Sequence, residues 1–289
     1  MLKRTDDAAE FVALANLGVL RIAGADTERF LQGQLSNDMQ QLPSGRTQLT
    51  GYHNPQGRAI AVLHLVRSAP DAVLAVLPRE LAANVAQRLT KFILRAKVKI
   101  EDLSEKWRVD GLIGPTASPA PSEPGLLVRY GADAERWLHI RPAADGAHAR
   151  AEPHRWRALA IERGEPQVYA ATSEEFVAQM LNLDVLGAIG FEKGCYTGQE
   201  VIARAHYRGR VKRRMQRFRT LSTRELSPGS VGRLADGPAF KVVDAVRTED
   251  GACEFLAVAA LEVRDEAQAA EDGAPIEASA LPLPYALPE

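Results

Sequence analysis

Apolar and polar positions divide the chain into stretches of different period. Val19 to Ile22 reads as a short strand. Gly24 then turns the chain, and Asp26 stands where a residue caps a helix whose Phe30, Leu31 and Leu35 share a face. The stretch GYHNPQG (51–57) has the composition of a turn. Ile60 to Val66 and Ala72 to Leu77 predict strands, with His64 inside the first. Pro78 suits a first helical position, and Leu81, Val85, Leu89 and Phe92 recur at helical spacing behind it. KVKIEDL returns as a strand, which makes this half an α+β unit.

Further on, Thr172 with Glu175 fits a capping box, and Phe176, Met180 and Leu183 predict a helical stripe that Gly187 and Gly190 end. After 209 the pattern changes. RVKRRMQRFRTL, AFKVVDAVRT and EFLAVAALEV alternate or run apolar at strand length, with SPGS and ADGP as turns, and predict a small β-barrel or sandwich. The segments 114–125 and 141–153 are Pro-, Ser- or Ala-rich and read as surface loops or linkers. The Ala- and Pro-rich tail from 266 reads as a loosely packed extension. The boundary near 209 sets the expected domains at 1–208 and 209–289.

Composition narrows the function classes. Apolar residues make up 46% of 289 residues, enough for more than one core. Lys plus Arg number 36 against 37 Asp plus Glu, so the net charge of −1 argues against a nucleic-acid field over the whole surface. Two cysteines make no disulfide framework. MLKRTDDAAEF has no apolar run behind its charge, and no uncharged run approaches the roughly 18 residues of a membrane span. The expectation is a protein of the reducing cytoplasm without a membrane partner.

The two cysteines have different settings. Cys253 lies in GACEFLAVAAL and reads as a small buried hydrophobe. Cys195 sits in EKGCYTGQE, with Gly194 and Gly198 at −1 and +3 and Lys193 two residues before it. Glycines let backbone approach a ligand, and nearby cations favour the thiolate, the form that attacks or ligates. Packing and chemistry both remain open for it from the residues alone. One cysteine cannot close a metal site that takes about four ligands, and no CxxC or HxxxH spacing supplies the rest. A nucleophilic pair with His206 is a further reading. The run 204–219 holds eight Arg or Lys. Read as a strand, it aligns Arg208, Arg210 and Lys212 on one face, either as a solvated edge or as a site for an anionic tail. Tyr207 and Phe218, interleaved, would also suit RNA.

KGCYTGQE (193–200) resembles the signature of the YgfZ-type folate-binding proteins, which share a superfamily with the aminomethyltransferase, or T-protein, of the glycine cleavage system. IAGADTERFLQGQLSND (22–38) resembles the opening helix of that superfamily, and 172–215 resembles the YgfZ core. ALAIERGEP (158–166) resembles the T-protein segment whose glutamate binds the pterin, which places that role on Glu162. The resemblance implies an α+β fold of three lobes in a ring: two α+β lobes and a C-terminal β-barrel around a central opening for tetrahydrofolate or a one-carbon derivative. It implies Cys195 as the catalytic residue of a factor that assembles or repairs iron–sulfur clusters, with transient iron–sulfur client or assembly partners. Asn37, Glu162, Lys193, Tyr196, Arg204 and Arg208 are the expected folate contacts. T-proteins carry paired aspartates where this chain has PQGRAIAVL, and the pair falls on Ala61 and Val62, which handle no proton. The expectation is therefore not a classical aminomethyltransferase. An altered one-carbon transferase and a protein linked to tRNA modification are the alternatives.

Overall fold

In the computed structural model the described residues are 10–114, 124–143, 153–209, 211–235, 237–261 and 275–288. They form a mixed α+β protein, as the pattern predicts. The chain divides into two compact units: residues 1–31, 39–49 and 63–156, and residues 32–38, 50–62 and 157–289. Along the chain lie β1 (Glu10–Ala13), β2 (Leu17–Ala23), α1 (Thr27–Gln34), β3 (Gln48–His53), β4 (Ala59–Ala69), β5 (Ala72–Pro78), α2 (Arg79–Thr90) and β6 (Lys99–Asp102). Then follow β7 (Trp107–Ile113), β8 (Leu126–Arg129), β9 (Arg136–Pro142), α3 (His154–Glu162), α4 (Gln199–Arg208) and β10 (Arg213–Thr220). The last strands are β11 (Val231–Arg233), β12 (Ala239–Arg247), β13 (Cys253–Ala260) and β14 (Ser279–Leu281).

Two sheets hold the strands of the first half of the chain. One has the order β3-β4-β5-β2-β6 and the other β1-β7-β9-β8. β4 and β5 read as continuous apolar runs because both of their faces are buried. Pro78 ends β5 and stands just outside α2 rather than inside its first turn. Leu81, Val85 and Leu89 bury as the spacing predicts, but Phe92 falls past the end of the helix and is half-exposed. The carboxylate of Asp26 does not cap α1; it accepts the backbone N–H of Lys97 instead. Among these sheets His64 Nε2 and the Tyr130 hydroxyl lie 2.7 Å apart, with the fully buried Arg136 guanidinium 4.6 Å from the Tyr130 ring centroid.

In the second unit the sequence pattern needs three corrections. The stretch from Thr172 to Leu183 forms only two short 3-10 turns, Ala170–Thr172 and Ala178–Leu181, with no α-helix. Asn182, left-handed at φ +56, ends the second turn, and its Nδ2 donates to the Met215 carbonyl. Thr172 does not begin a helix: its hydroxyl accepts the Tyr169 N–H from within the first turn. The basic run is likewise not one strand. It is helix through Arg208 and strand from Arg213, and Arg210 lies outside the described residues.

The third correction concerns the tail. Strands β11-β12-β13-β10-β14 form an antiparallel sheet over Phe218, Phe240, Phe255, Val242 and the buried Cys253. The end of the chain is part of this sheet. Ile276 bridges to Leu234 beside β11, and Ser279–Leu281 pair with β10, so one short segment engages both edges of the sheet. The Tyr285 hydroxyl donates to the Gly164 carbonyl, and burial pushes its pKa up to about 12. Most of 114–125 and 141–153, and residues 266–274 of the tail, lie outside the described residues. Among the described residues no helix is long and apolar enough to cross a membrane.

Candidate functional site around Cys195

The loop that carries Cys195 is held by the segment that follows α1. Asn37 Nδ2 donates to the Gly187 carbonyl at 2.8 Å, and Ser36 Oγ to the Ala188 carbonyl at 2.7 Å. The Gly190 N–H donates to the Ser36 carbonyl. Lys193 adds the strongest tie. Its buried ammonium donates to the Leu35 carbonyl at 2.6 Å and the Asn37 carbonyl at 2.8 Å, and lies 5.1 Å from the Tyr196 ring centroid. Burial lowers its pKa to about 8, with Asp38 pulling the other way. The same burial raises the Tyr196 hydroxyl above its usual value.

The two glycines beside Cys195 act differently. Gly198 is left-handed at φ +84 and caps α4. A Cβ built there would lie 2.5 Å from the Asn54 carbonyl oxygen and 3.1 Å from Gly57 Cα, so only glycine fits. A Cβ on Gly194 would meet nothing within 4 Å. Gly194 thus leaves open space beside the exposed Cys195 without any demand from the backbone.

The expected turn over 51–57 is a turn only from Asn54 to Gly57, because Gly51–His53 end β3, and this segment backs the arrangement. Asn54 Oδ1 accepts the N–H groups of Gln56 and Arg58, and its Nδ2 donates to Glu174 at 2.7 Å. Gly57, at φ +72, packs on Val201 and Ile202 of α4. His53 is wholly buried with neither ring nitrogen hydrogen-bonded, and burial holds its pKa down to about 3. Sequence reading treated this stretch as a turn and missed its role as the bed for the signature. Its repeated glycines were the available signal.

The predicted site residues separate into two sets. Asn37, Lys193 and Tyr196 come together, but as the buried frame of the loop. Cys195, Glu162, Arg204 and Arg208 are exposed. Arg204 and Arg208 stand one turn apart on α4 with no ion pair among the described residues, whereas Arg214 is buried against Asp184 at 2.9 Å. Glu162 ends α3, its carboxylate without a partner among the described residues while its carbonyl accepts from Arg217. Beside the signature, Phe191 stacks on His206 with centroids 3.8 Å apart. Phe218, proposed to interleave with the cations, is buried against Phe255 and is unavailable for stacking on RNA. Ala61 and Val62 are fully buried in β4. Among the described residues no group of three His, Cys, Asp or Glu side chains is placed to hold a metal.

Residues 3–120 match the family described as GCVT N-terminal domain. A Haemophilus influenzae protein described as an uncharacterized protein is 31% identical over 223 residues, 77% of this chain and 78% of its own. Among solved structures, glycine cleavage system aminomethyltransferase T from Bartonella henselae superimposes with a TM-score of 0.68 at 14% identity, over 89% of this chain and 80% of that one. At that identity the likeness is one of fold.

Proposed function

We propose that this chain, whose residues 3–120 match the GCVT N-terminal domain family and whose fold is like that of a glycine cleavage T-protein, is a tetrahydrofolate-binding protein of the YgfZ type in the aminomethyltransferase superfamily, working in the cytoplasm. In this reading it supports the assembly or repair of iron–sulfur clusters through Cys195. The observation that carries it is the exposed thiol beside the open space at Gly194, on a loop tied down by Lys193. A residue so displayed contributes little to packing, and the rigid loop gives it a defined position.

The folate assignment is supported by the donor chemistry. A flat amino-pyrimidine edge presents adjacent N–H donors, and a free carboxylate accepts two of them in a charge-assisted pair. Glu162 offers such a carboxylate, and Arg204 and Arg208 offer unpaired cations for an anionic tail. When bound, the reduced folate supplies one-carbon or reducing chemistry. Ala61 and Val62 supply no proton carrier, so aminomethyl transfer is not the reaction proposed. Cys195 serves as a transient thiolate ligand to a cluster iron or as an exchanging thiol. A lone thiol needs the remaining ligands from the cluster's own carrier, so the iron–sulfur partner binds transiently.

The test is complementation of a host that lacks its own copy, read as activity of an iron–sulfur enzyme under oxidative stress, alongside titration of purified protein with tetrahydrofolate. Cys195→Ala is expected to bind folate like the parent and to fail in cells. Glu162→Gln is expected to bind roughly tenfold more weakly, the loss of about one charge-assisted hydrogen bond. Full rescue by Cys195→Ala would remove the thiol from the mechanism, and unchanged affinity in Glu162→Gln would remove the pterin assignment.

A further inference from the structure

Beyond α2, the chain turns through Lys91–Val98 before entering β6. In this turn Leu94 is 90% exposed and left-handed at φ +43, and Phe92 is 49% exposed. A left-handed leucine carries backbone strain, and here the side chain buries almost nothing in return. The turn is nonetheless tightly built. The N–H groups of Phe92, Ile93 and Ala96 donate to the carbonyls of Leu89, Thr90 and Ile93. At the far end Asp26 Oδ2 accepts the Lys97 N–H at 2.7 Å, and the Asp26 N–H donates back to the Lys97 carbonyl. Gly24, at φ +140, packs so closely on that carbonyl that a Cβ would lie 2.1 Å from it. Leu94 is therefore held out from the surface on a braced support.

Cations surround it. Lys91, Arg95 and Lys97 are exposed and have no ion pair among the described residues, whereas Lys99 just beyond pairs with Glu101 at 2.7 Å. The carboxylate at the base of the turn, Asp26, is taken up by a backbone N–H. An apolar knob fixed in one conformation loses little entropy on entering a pocket, and central apolar anchors carry most of the energy of an interface. Unpaired cations around such an anchor select and steer a partner of opposite charge. Two apolar side chains on a turn are a small surface for anchoring to a bilayer.

We propose that the Lys91–Lys97 turn docks a partner protein, with Leu94 and Phe92 entering an apolar pocket rimmed by carboxylates that meet Lys91, Arg95 and Lys97. The proposal is independent of the chemistry assigned to Cys195.

The test begins with Phe92→p-benzoylphenylalanine in the full chain, irradiated in the cells that naturally make it, and the crosslinked protein is then purified and titrated against unmodified chain. Affinity is expected to fall tenfold or more in Leu94→Gly, and comparably in the Lys91→Glu, Arg95→Glu double variant, with a marked loss between roughly 0.05 and 0.3 M salt. Leu94→Gly also relieves the backbone strain, so it folds at least as well as the parent, and any lost affinity belongs to the knob, its side chain and its fixed conformation together. Four results would overturn the proposal. One is the absence of a discrete crosslinked protein. Another is affinity indifferent to both variants. The others are turn-dependent binding to phosphatidylcholine–phosphatidylglycerol vesicles and turn-dependent self-association in sedimentation.

Discussion

Replacing each glycine beside Cys195 with alanine separates a backbone role from a role in leaving space. At Gly198 the methyl group meets two penalties. The left-handed backbone at φ +84 costs alanine about 1–2 kcal/mol. The Cβ also sits 2.5 Å from the Asn54 carbonyl oxygen, and that carbonyl belongs to a turn whose N–H and Asn54 side-chain bonds resist movement. Forcing extra volume into a packed site costs about 1–3 kcal/mol. Gly198→Ala is therefore expected to lose about 2–5 kcal/mol, a large part of the 5–15 kcal/mol typical of a folded protein. Gly194→Ala meets no atom within 4 Å and no left-handed backbone, so its stability should stay within about 0.5 kcal/mol of the parent or rise slightly as the unfolded chain loses freedom. Urea unfolding followed by circular dichroism measures both. A disulfide reagent such as DTNB follows the loop directly, because Cys253 is buried and Cys195 is exposed. Gly198→Ala should change the rate of Cys195 modification, while Gly194→Ala should fold normally and yet fail in complementation. Equal stabilities for the two variants, with unchanged thiol rates, would refute the assignment of Gly198 to backbone geometry and Gly194 to open space.

Other expectations follow from the same geometry. Arg214→Ala leaves Asp184 buried without its bidentate partner and should cost about 3–5 kcal/mol by urea unfolding, most of it recovered when Asp184→Leu is added to Arg214→Met. Burial holds His53 and His64 near pKa 3, below the ordinary 6.5, with Arg136 adding to the effect at His64. The unfolded chain therefore takes up protons first as pH falls. Their contribution to stability is complete above about pH 6.5 and is lost toward pH 3, by up to about 1.4 kcal/mol per pH unit for each histidine. Stability measured from pH 7.5 down to pH 4.5 should show this slope, and His53→Phe should reduce it by one proton. Tyr285→Phe removes a hydroxyl that donates to Gly164 and accepts from Asn182, and should cost about 1 kcal/mol in the same assay.

Legibility in the sequence followed the range of the interactions. β4, β5 and β13 were readable because a strand buried on both faces is a nearly continuous apolar run, whatever its neighbours. α2 was readable to Leu89, but its periodic stripe carried one residue too far: period alone cannot show that the core ends before Phe92. The 172–183 stripe failed for a related reason. Phe176 and Leu183 are buried as predicted, yet tertiary hydrogen bonds such as Asn182 to Met215 hold the backbone in 3-10 turns. The basic run failed because its cations have several jobs, solvated on α4, ion-paired at Arg214 and Arg217, and charge alone does not distinguish them.

The candidate site shows the same division. Cys195, its two glycines and Lys193 could be singled out as a motif, since local composition is visible in a line of text. That Lys193 grips the carbonyls of Leu35 and Asn37, 158 and 156 residues away, was not visible, nor was the demand of Asn54 for a glycine at 198. The sequence by itself determined the α+β class, the apolar strands and the glycine-bracketed motif around one cysteine, because these depend on neighbours within a few residues; that this cysteine is exposed came from the structure. Only the tertiary structure decided which cations are buried, which glycine is required and where the chain's last residues pack, because each depends on atoms that folding brings together from distant parts of the chain.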